Sequence, residues 1–210
     1  VLFDMDLVKA DLHVVAWEAD EEEIMQILRE GRNFYQESAS VVGLPYKSAK
    51  SFIHATNYGG KARSIARQPS IRMPVPAAER AQESYFRKYP GILRWHRRVE
   101  GGLRMSRSVS NKFGYRITFF DRIDGLLPEA LAWCPQSTVA CVVNRIWRNI
   151  EDRIPEAQVL LQVHDELLGQ IPENAVERLE PLIRECARIE VPYSRPLVIP
   201  IELRFSRSWG

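Results

Sequence analysis

Val159-Leu-Leu-Gln-Val-His-Asp-Glu-Leu-Leu-Gly-Gln-Ile171 decides the fold. Two apolar, strand-like runs flank His164-Asp165-Glu166, which predicts two short strands joined by a tight, charged turn. A polar tip of this kind can simply solvate itself as a surface hairpin. Runs this continuous point instead to buried strands, which hold carboxylates at the edge of a core. Two adjacent acids held there repel each other and need a cation, most simply a hard divalent metal bound through oxygen. Such a site needs a further carboxylate from elsewhere in the chain.

Val1-Leu-Phe-Asp-Met-Asp6 supplies one. It reads as a strand with Asp4 and Asp6 on one face by period-two alternation. If this strand neighbours those around Asp165 in one sheet, Asp6 and Asp165 meet at a shared edge. Paired aspartates beside a basic surface with exposed rings suit two-metal phosphoryl transfer on a nucleic acid.

The charge distribution fits that chemistry. A net charge of +2 hides ten acids against three basic residues in positions 1–37, no acid from Ser38 to Ala78, and nine Lys and Arg against Glu100 alone between Arg87 and Thr118. A basic middle between acidic ends implies a polyanion held over a carboxylate centre, although a merely solvated basic face has the same composition. At 210 residues and 45% hydrophobic content the chain makes one domain, or one large domain with a lobe, around a real core. It has no run of eighteen apolar residues and no basic-then-apolar leader, so neither a membrane span nor export is expected. Cys134, Cys141 and Cys186 follow no metal or disulfide spacing and read as reduced thiols of a cytoplasmic protein.

Helices fill the middle. Asp20 reads as an N-cap before Glu21, Glu22 and Glu23, with Ile24, Ile27 and Leu28 as the apolar stripe and Gly31 as the stop. Further helices are expected at 33–42, from Tyr46 to Tyr58, at 77–89, at 92–105, from Pro135 or Gln136 to Asp152, and from Glu173 to Ile189. The basic run Ile65 to Met73 ends in the proline cluster Pro74-Val-Pro76, where a loop is expected, with a basic hairpin or loop over 108–120 and a closing strand from Leu197 to Phe205. On the helix from Tyr46, the residues Lys47, Lys50, His54 and Tyr58 fall on one face. Lysines there meet phosphates while the rings offer stacking surfaces.

At this point the residues resemble a known family, the family A DNA polymerases, in their C-terminal palm-and-fingers part; the bacterial repair polymerase and its phage relatives belong to it. Asp6-Leu-Val-Lys-Ala-Asp11-Leu-His-Val-Val-Ala16 resembles the first family motif, Asp-Tyr-Ser-Gln-Ile-Glu-Leu-Arg-Val-x-Ala. Lys50-x7-Tyr58-Gly59 resembles the fingers helix, Arg-x3-Lys-x7-Tyr-Gly, and Gln162-Val-His-Asp-Glu166 matches the third motif in full. Phe113-Gly114-Tyr115-Arg116 and Pro135-Gln136-Ser-Thr138 resemble further blocks, in family order, and Trp209 sits near the family's usual C-terminus. The chain departs from the pattern at Tyr46 (usually Arg), His54 (usually Phe or Tyr), Asp11 (usually Glu), His13 (usually Arg) and Tyr35 (commonly His).

The resemblance implies an α+β fold, an antiparallel palm sheet backed by helices with an inserted helical fingers lobe: palm over 1–20, fingers over 21–125, palm again over 126–210, without thumb or exonuclease domains. It implies Asp6 and Asp165 as ligands of two Mg2+ ions, supported by Glu166. Lys50, aided by Lys47, would contact the triphosphate, with Tyr58, His54 and Tyr35 around the nucleotide and Asp11 against its sugar. Gln136, His164 and Arg116 would contact DNA. Its partners would be primer–template DNA, deoxynucleoside triphosphates and the thumb-bearing N-terminal part of a longer or split polymerase, with no membrane. The expected activity is DNA-directed DNA synthesis. The alternatives are a nucleic-acid-binding module without catalysis, a single-subunit RNA polymerase and a metal-dependent nuclease, the last disfavoured by the triphosphate-binding Lys50 and Tyr58-Gly59.

Overall fold

The computed structural model describes residues 1–120 and 125–209. The residues just before the fingers boundary expected near 125 lie outside them. In chain order the first part is β1 (Leu2–Leu7), α1 (Ala10–Ala19), α2 (Glu22–Arg29), α3 (Phe34–Val42) and α4 (Tyr46–Asn57). Next come α5 (Ala62–Ile65), α6 (Val75–Lys88), α7 (Pro90–Ser106), β2 (Ser108–Ser110), β3 (Arg116–Thr118) and α8 (Leu127–Arg153). The chain closes with β4 (Gln158–Val163), β5 (Glu166–Gln170), a 3-10 turn, α9 (Val176–Cys186), β6 (Glu190–Val191), β7 (Leu197–Val198) and β8 (Ile201–Ser206). The fold is α+β, as expected, and its main sheet is four-stranded and antiparallel in the order β4-β5-β1-β8.

The chain divides into two compact units. One comprises 1–12, 111–115 and 135–210; the other comprises 13–110 and 116–134. The four-stranded sheet belongs to the first. Alternation along β1 buries Phe3, Met5 and Leu7 and leaves Asp4 and Asp6 on the opposite face. Gly169 on β5 faces Phe3 across the ladder, and an added Cβ would collide with the Phe3 ring and come within 2.9 Å of the Gln158 carbonyl. Only glycine fits there. In the same unit α8 and α9 bury Val143, Ile146, Ile150, Leu179 and Ile183, and Asn149 Nδ2 donates to the Cys186 carbonyl at 3.1 Å.

The second unit is helical apart from the β2–β3 hairpin. Its core gathers Phe34, Phe52, Ile53, Tyr85, Tyr89 and Trp95, with the Tyr85 and Tyr89 rings 5.2 Å apart. Asn33 caps α3 by accepting from the Gln36 N–H at 3.2 Å. Gly59 (φ +74) ends α4 in the left-handed conformation that glycine adopts without strain.

Several expectations shift. The helix expected from Pro135 begins at Leu127, because a proline removes one hydrogen bond yet the turns before it are anchored by the buried Ala130, Leu131 and Cys134. Asp20 is not the N-cap of α2. It sits after α1 at φ +48, and Glu21 takes the cap position without a side-chain cap bond. Ala10–Ala19, whose mainly apolar sequence carries no clear helical period, is helical. The run 159–163 is not buried as its composition suggests: β4 is a sheet edge, with Leu160 44% and Leu161 38% exposed. The closing strand is interrupted between β7 and β8, around Pro200.

Candidate active site

The strand pairing brings the acids together. Asp6 on β1 lies opposite Glu166 on β5 and opposite Glu202 on β8, so the three side chains share one row on the solvent face. Asp4, two residues back on that face, lies opposite Leu168 and Arg204. Asp4, Asp6, Glu166, Glu202 and Arg204 line a recess of about 280 Å³.

Asp165 enters through the turn. Val163 pairs with Glu166, leaving a two-residue connection whose first residue, His164, adopts φ +55. The Asp165 carbonyl accepts the Leu7 N–H at 3.2 Å, which fastens the turn beside the end of β1.

The electrostatics follow from this crowding. Partial burial, then the charges of Asp165, Glu166, Glu202 and Asp4, push the Asp6 carboxyl up to about 6. The Glu166 carboxyl is also raised, first by burial and then by Asp4, while a hydrogen bond with Trp209 works the other way. Arg204, the cation lining the recess, is engaged by Glu202 at 2.7 Å. Among the described residues no three His, Cys, Asp or Glu side chains already converge as a metal cage. The donor set is nonetheless all oxygen and short of positive charge, which suits a hard divalent cation.

A second recess, of about 570 Å³, is lined by Asp11, Gln136, Val139, Ala140, His164 and Asp165. Asp11 stands in the first turn of α1, and Gln136, Val139 and Ala140 share one face of α8 through their spacing of three and four. Four residues singled out from sequence thus line one cavity.

The remaining ones lie in the other unit. On α4, Lys47, Lys50 and His54 are exposed and Tyr58 is half-buried, while Phe52, Ile53 and Thr56 turn inward. The His54 and Tyr58 rings meet edge to face at 4.7 Å, and Lys50 Nζ lies 5.8 Å over the Tyr35 ring of α3. Arg116, exposed on β3, donates from Nε to Ser110 Oγ at 3.3 Å. Sequence reasoning missed Glu202 and Arg204. Their alternation in Ile-Glu-Leu-Arg-Phe marks a strand face, but only the register with β1 shows that the face is the acidic one.

Over residues 1–210 the chain matches the family described as DNA polymerase family A. It is 29% identical to the thermostable DNA polymerase I of Thermus thermophilus, an alignment covering 97% of this chain and 26% of that protein. A DNA polymerase of Mycobacterium phage L5 is 24% identical, with 100% of this chain and 34% of the relative covered. The chain superposes with TM-score 0.87 and 22% identity on the POL domain of Pol1 from M. smegmatis in complex with DNA primer-template and dNTP, covering 99% of this chain and 40% of that one. It therefore spans about a quarter to a third of these curated relatives.

Proposed function

The chain belongs to DNA polymerase family A, and from that premise we propose that it performs nucleotidyl transfer, adding deoxynucleotides to a primer 3′-hydroxyl in replication or repair. The observation that carries the proposal is the edge shared by β1 and the β4–β5 turn, where the Asp6 carboxyl is raised to about 6 by burial and its acidic neighbours. We assign Asp6 and Asp165 as ligands of two Mg2+ ions, with Glu166 in support. When bound, such ions lower the pKa of the attacking hydroxyl and neutralise charge on the leaving pyrophosphate.

The chain's own side chains orient the reactants. Asp11, which lines the 570 Å³ recess, would meet the sugar of the incoming nucleotide, and Gln136 and His164 would contact the primer end from the same recess. Lys50 and Lys47 would hold the triphosphate, with Tyr35, His54 and Tyr58 as rings around the base and Arg116 on the DNA. Residues 1–20 and 126–210 would form the palm and 21–125 the fingers. A reading without catalysis is favoured by one residue, Tyr46, a half-exposed ring where the family pattern has an arginine.

Primer extension tests the proposal, run with Mg2+, a labelled primer–template and either deoxy- or ribonucleoside triphosphates, on the chain alone and within a longer polypeptide. Extension with deoxynucleotides supports it. DNA binding without extension in either context leaves the binding module. Preference for ribonucleotides favours an RNA polymerase, and primer shortening a nuclease.

A further inference from the structure

Arginines on the unit that carries the carboxylates are mostly held by acids: Arg153 by Glu185 at 2.6 Å, Arg178 by Glu156 at 2.7 Å, Arg207 by Glu173 at 2.6 Å. Arg145 and Arg188 have no carboxylate partner among the described residues, and they line the same recess. It measures about 390 Å³, includes Arg148, Asn149 and Glu190, and shares no lining residue with the two recesses around Asp6 and Asp165.

Arg145 is held by a ring instead of an acid. Its guanidinium carbon lies 4.3 Å over the Phe113 ring. Phe113 in turn is fixed by the buried Asn111, whose Oδ1 accepts the Phe113 and Tyr115 N–H groups at 3.0 and 3.1 Å. Asn111 Nδ2 donates to Ser137 Oγ at 3.1 Å, so the loop is fastened to the helix that carries Arg145 and Arg148. Next to Phe113, Lys112 lies 5.3 Å over the Tyr193 ring. A guanidinium stacked on a ring uses its face and keeps its in-plane N–H donors unspent, whereas an ion pair consumes them. Among the described residues Arg148 is tied by one exposed i,i+4 contact with Asp152 at 3.3 Å, which is weak and easily exchanged. The recess therefore offers charged donors, Arg145 among them oriented by a ring, in a fork geometry that phosphate oxygens match.

We propose that this recess, formed by α8 and the segment after α9, with the Asn111–Tyr115 loop seating Arg145, binds phosphates of a nucleic-acid backbone at a site separate from the carboxylates proposed as catalytic. The assignment rests on the nucleic-acid-binding reading above. A strand is favoured over free phosphate or pyrophosphate because Glu190 dilutes the charge of the pit while Lys112 extends the cationic surface along the loop.

The test is fluorescence anisotropy with a fluorescein-labelled primer–template across a salt series, comparing the chain with Arg145→Gln/Arg188→Gln. Losing two phosphate contacts makes the slope of log K against log salt shallower by about 2 and weakens binding roughly ten-fold at low salt. The Arg145→Lys/Arg188→Lys variant keeps the charge and so keeps the slope, which a mere folding defect does not predict. Matched melting temperatures complete the comparison. If the unaltered chain binds no DNA, the functional reading fails and takes this site with it. If it binds DNA and the glutamine variant has the same slope, this inference alone is wrong. Inorganic pyrophosphate raising the melting temperature of the chain but not of the glutamine variant, with the DNA slope unchanged, would assign the recess to free phosphate and overturn the strand.

Discussion

Asp6 carries the tension of the molecule. Its carboxyl is raised to about 6 by partial burial and by four neighbouring acids, so ionisation there opposes folding. The folded form binds this proton more tightly than the unfolded chain does. The group's contribution to stability is therefore present at low pH and lost as pH rises from the ordinary carboxylate range through about 6. Asp6→Asn should accordingly melt higher than the unaltered protein at pH 7.5 without metal, and the gap should close at pH 4.5. Mg2+ should raise the melting temperature of the parent and not that of the variant. The same substitution, and Asp165→Asn, should abolish primer extension while sparing DNA binding; a variant that extends primers normally refutes the ligand assignment. Asp11 is the residue proposed to meet the sugar of the incoming nucleotide. It is one methylene shorter than the family glutamate, a difference typically worth about 1–3 kcal/mol of discrimination. Ribonucleotide rejection should strengthen in Asp11→Glu and nearly vanish in Asp11→Ala. The ratio of kcat/KM for matched deoxy- and ribonucleoside triphosphates measures it, and an unchanged ratio in Asp11→Ala removes Asp11 as the gate.

Among the elements, α4 is pinned at its C-terminal end. Its end is held by a buried polar network: Tyr85 donates to Asn57 Oδ1 at 2.7 Å, His96 Nε2 bonds the Asn57 carbonyl at 2.7 Å, and Gln82 donates to the Gly60 carbonyl at 2.7 Å. Burial lowers the His96 pKa, partly offset by the bond to Asn57. As pH drops through the ordinary histidine range the unfolded chain takes up a proton that the folded one resists, so the contribution of His96 to stability falls from about pH 7 toward 5. The measurement is denaturant unfolding at both pH values. His96→Gln should be less stable at pH 7.5, and that deficit should shrink at pH 5; an equal deficit at both means that His96 does not titrate in this window. The face of α4 was legible because its lysines cannot face a core, and β1 was legible because Asp4 and Asp6 alternate with Phe3 and Met5. The start of α8 was not, since Pro135 reads locally as a first-turn residue while the turns before it depend on tertiary burial. Nor was β4's exposure, because sheet order, not composition, makes it an edge. The site was half-legible for a similar reason: Asp6 and Asp165 stand out in sequence, whereas Glu202 joins them only through strand register.

For the molecule as a whole, charge segregation should set how the chain meets DNA on the proposed reading. No acid occurs between Ser38 and Ala78, where Lys47, Lys50, Lys61, Arg63, Arg67 and Arg72 are all exposed. Cations elsewhere are partly spent on acids, as Lys88 is on Glu23 and Arg104 on Glu100 at 2.7 Å. Binding should therefore be dominated by counterion release from this acid-free stretch rather than by the small net charge. If about five phosphates are neutralised, log K should fall with log salt at a slope of roughly −4 to −5. Replacing Lys61, Arg63 and Arg67 together by glutamine should flatten that slope by about 2 to 3 and leave base-sequence preference unchanged, because phosphate contacts carry no sequence information. The chain spans about a quarter of the length of its Thermus relative. We accordingly expect the 210 residues alone to hold primer–template weakly and to extend it poorly, and a longer polypeptide containing them to bind more tightly with a steeper slope. Anisotropy titrations from about 50 to about 200 mM salt, paired with single-turnover extension, decide the matter. A slope near zero would mean that the basic stretch is a solvated face, and rapid, processive extension by the 210 residues alone would mean that no further grip on the duplex is needed.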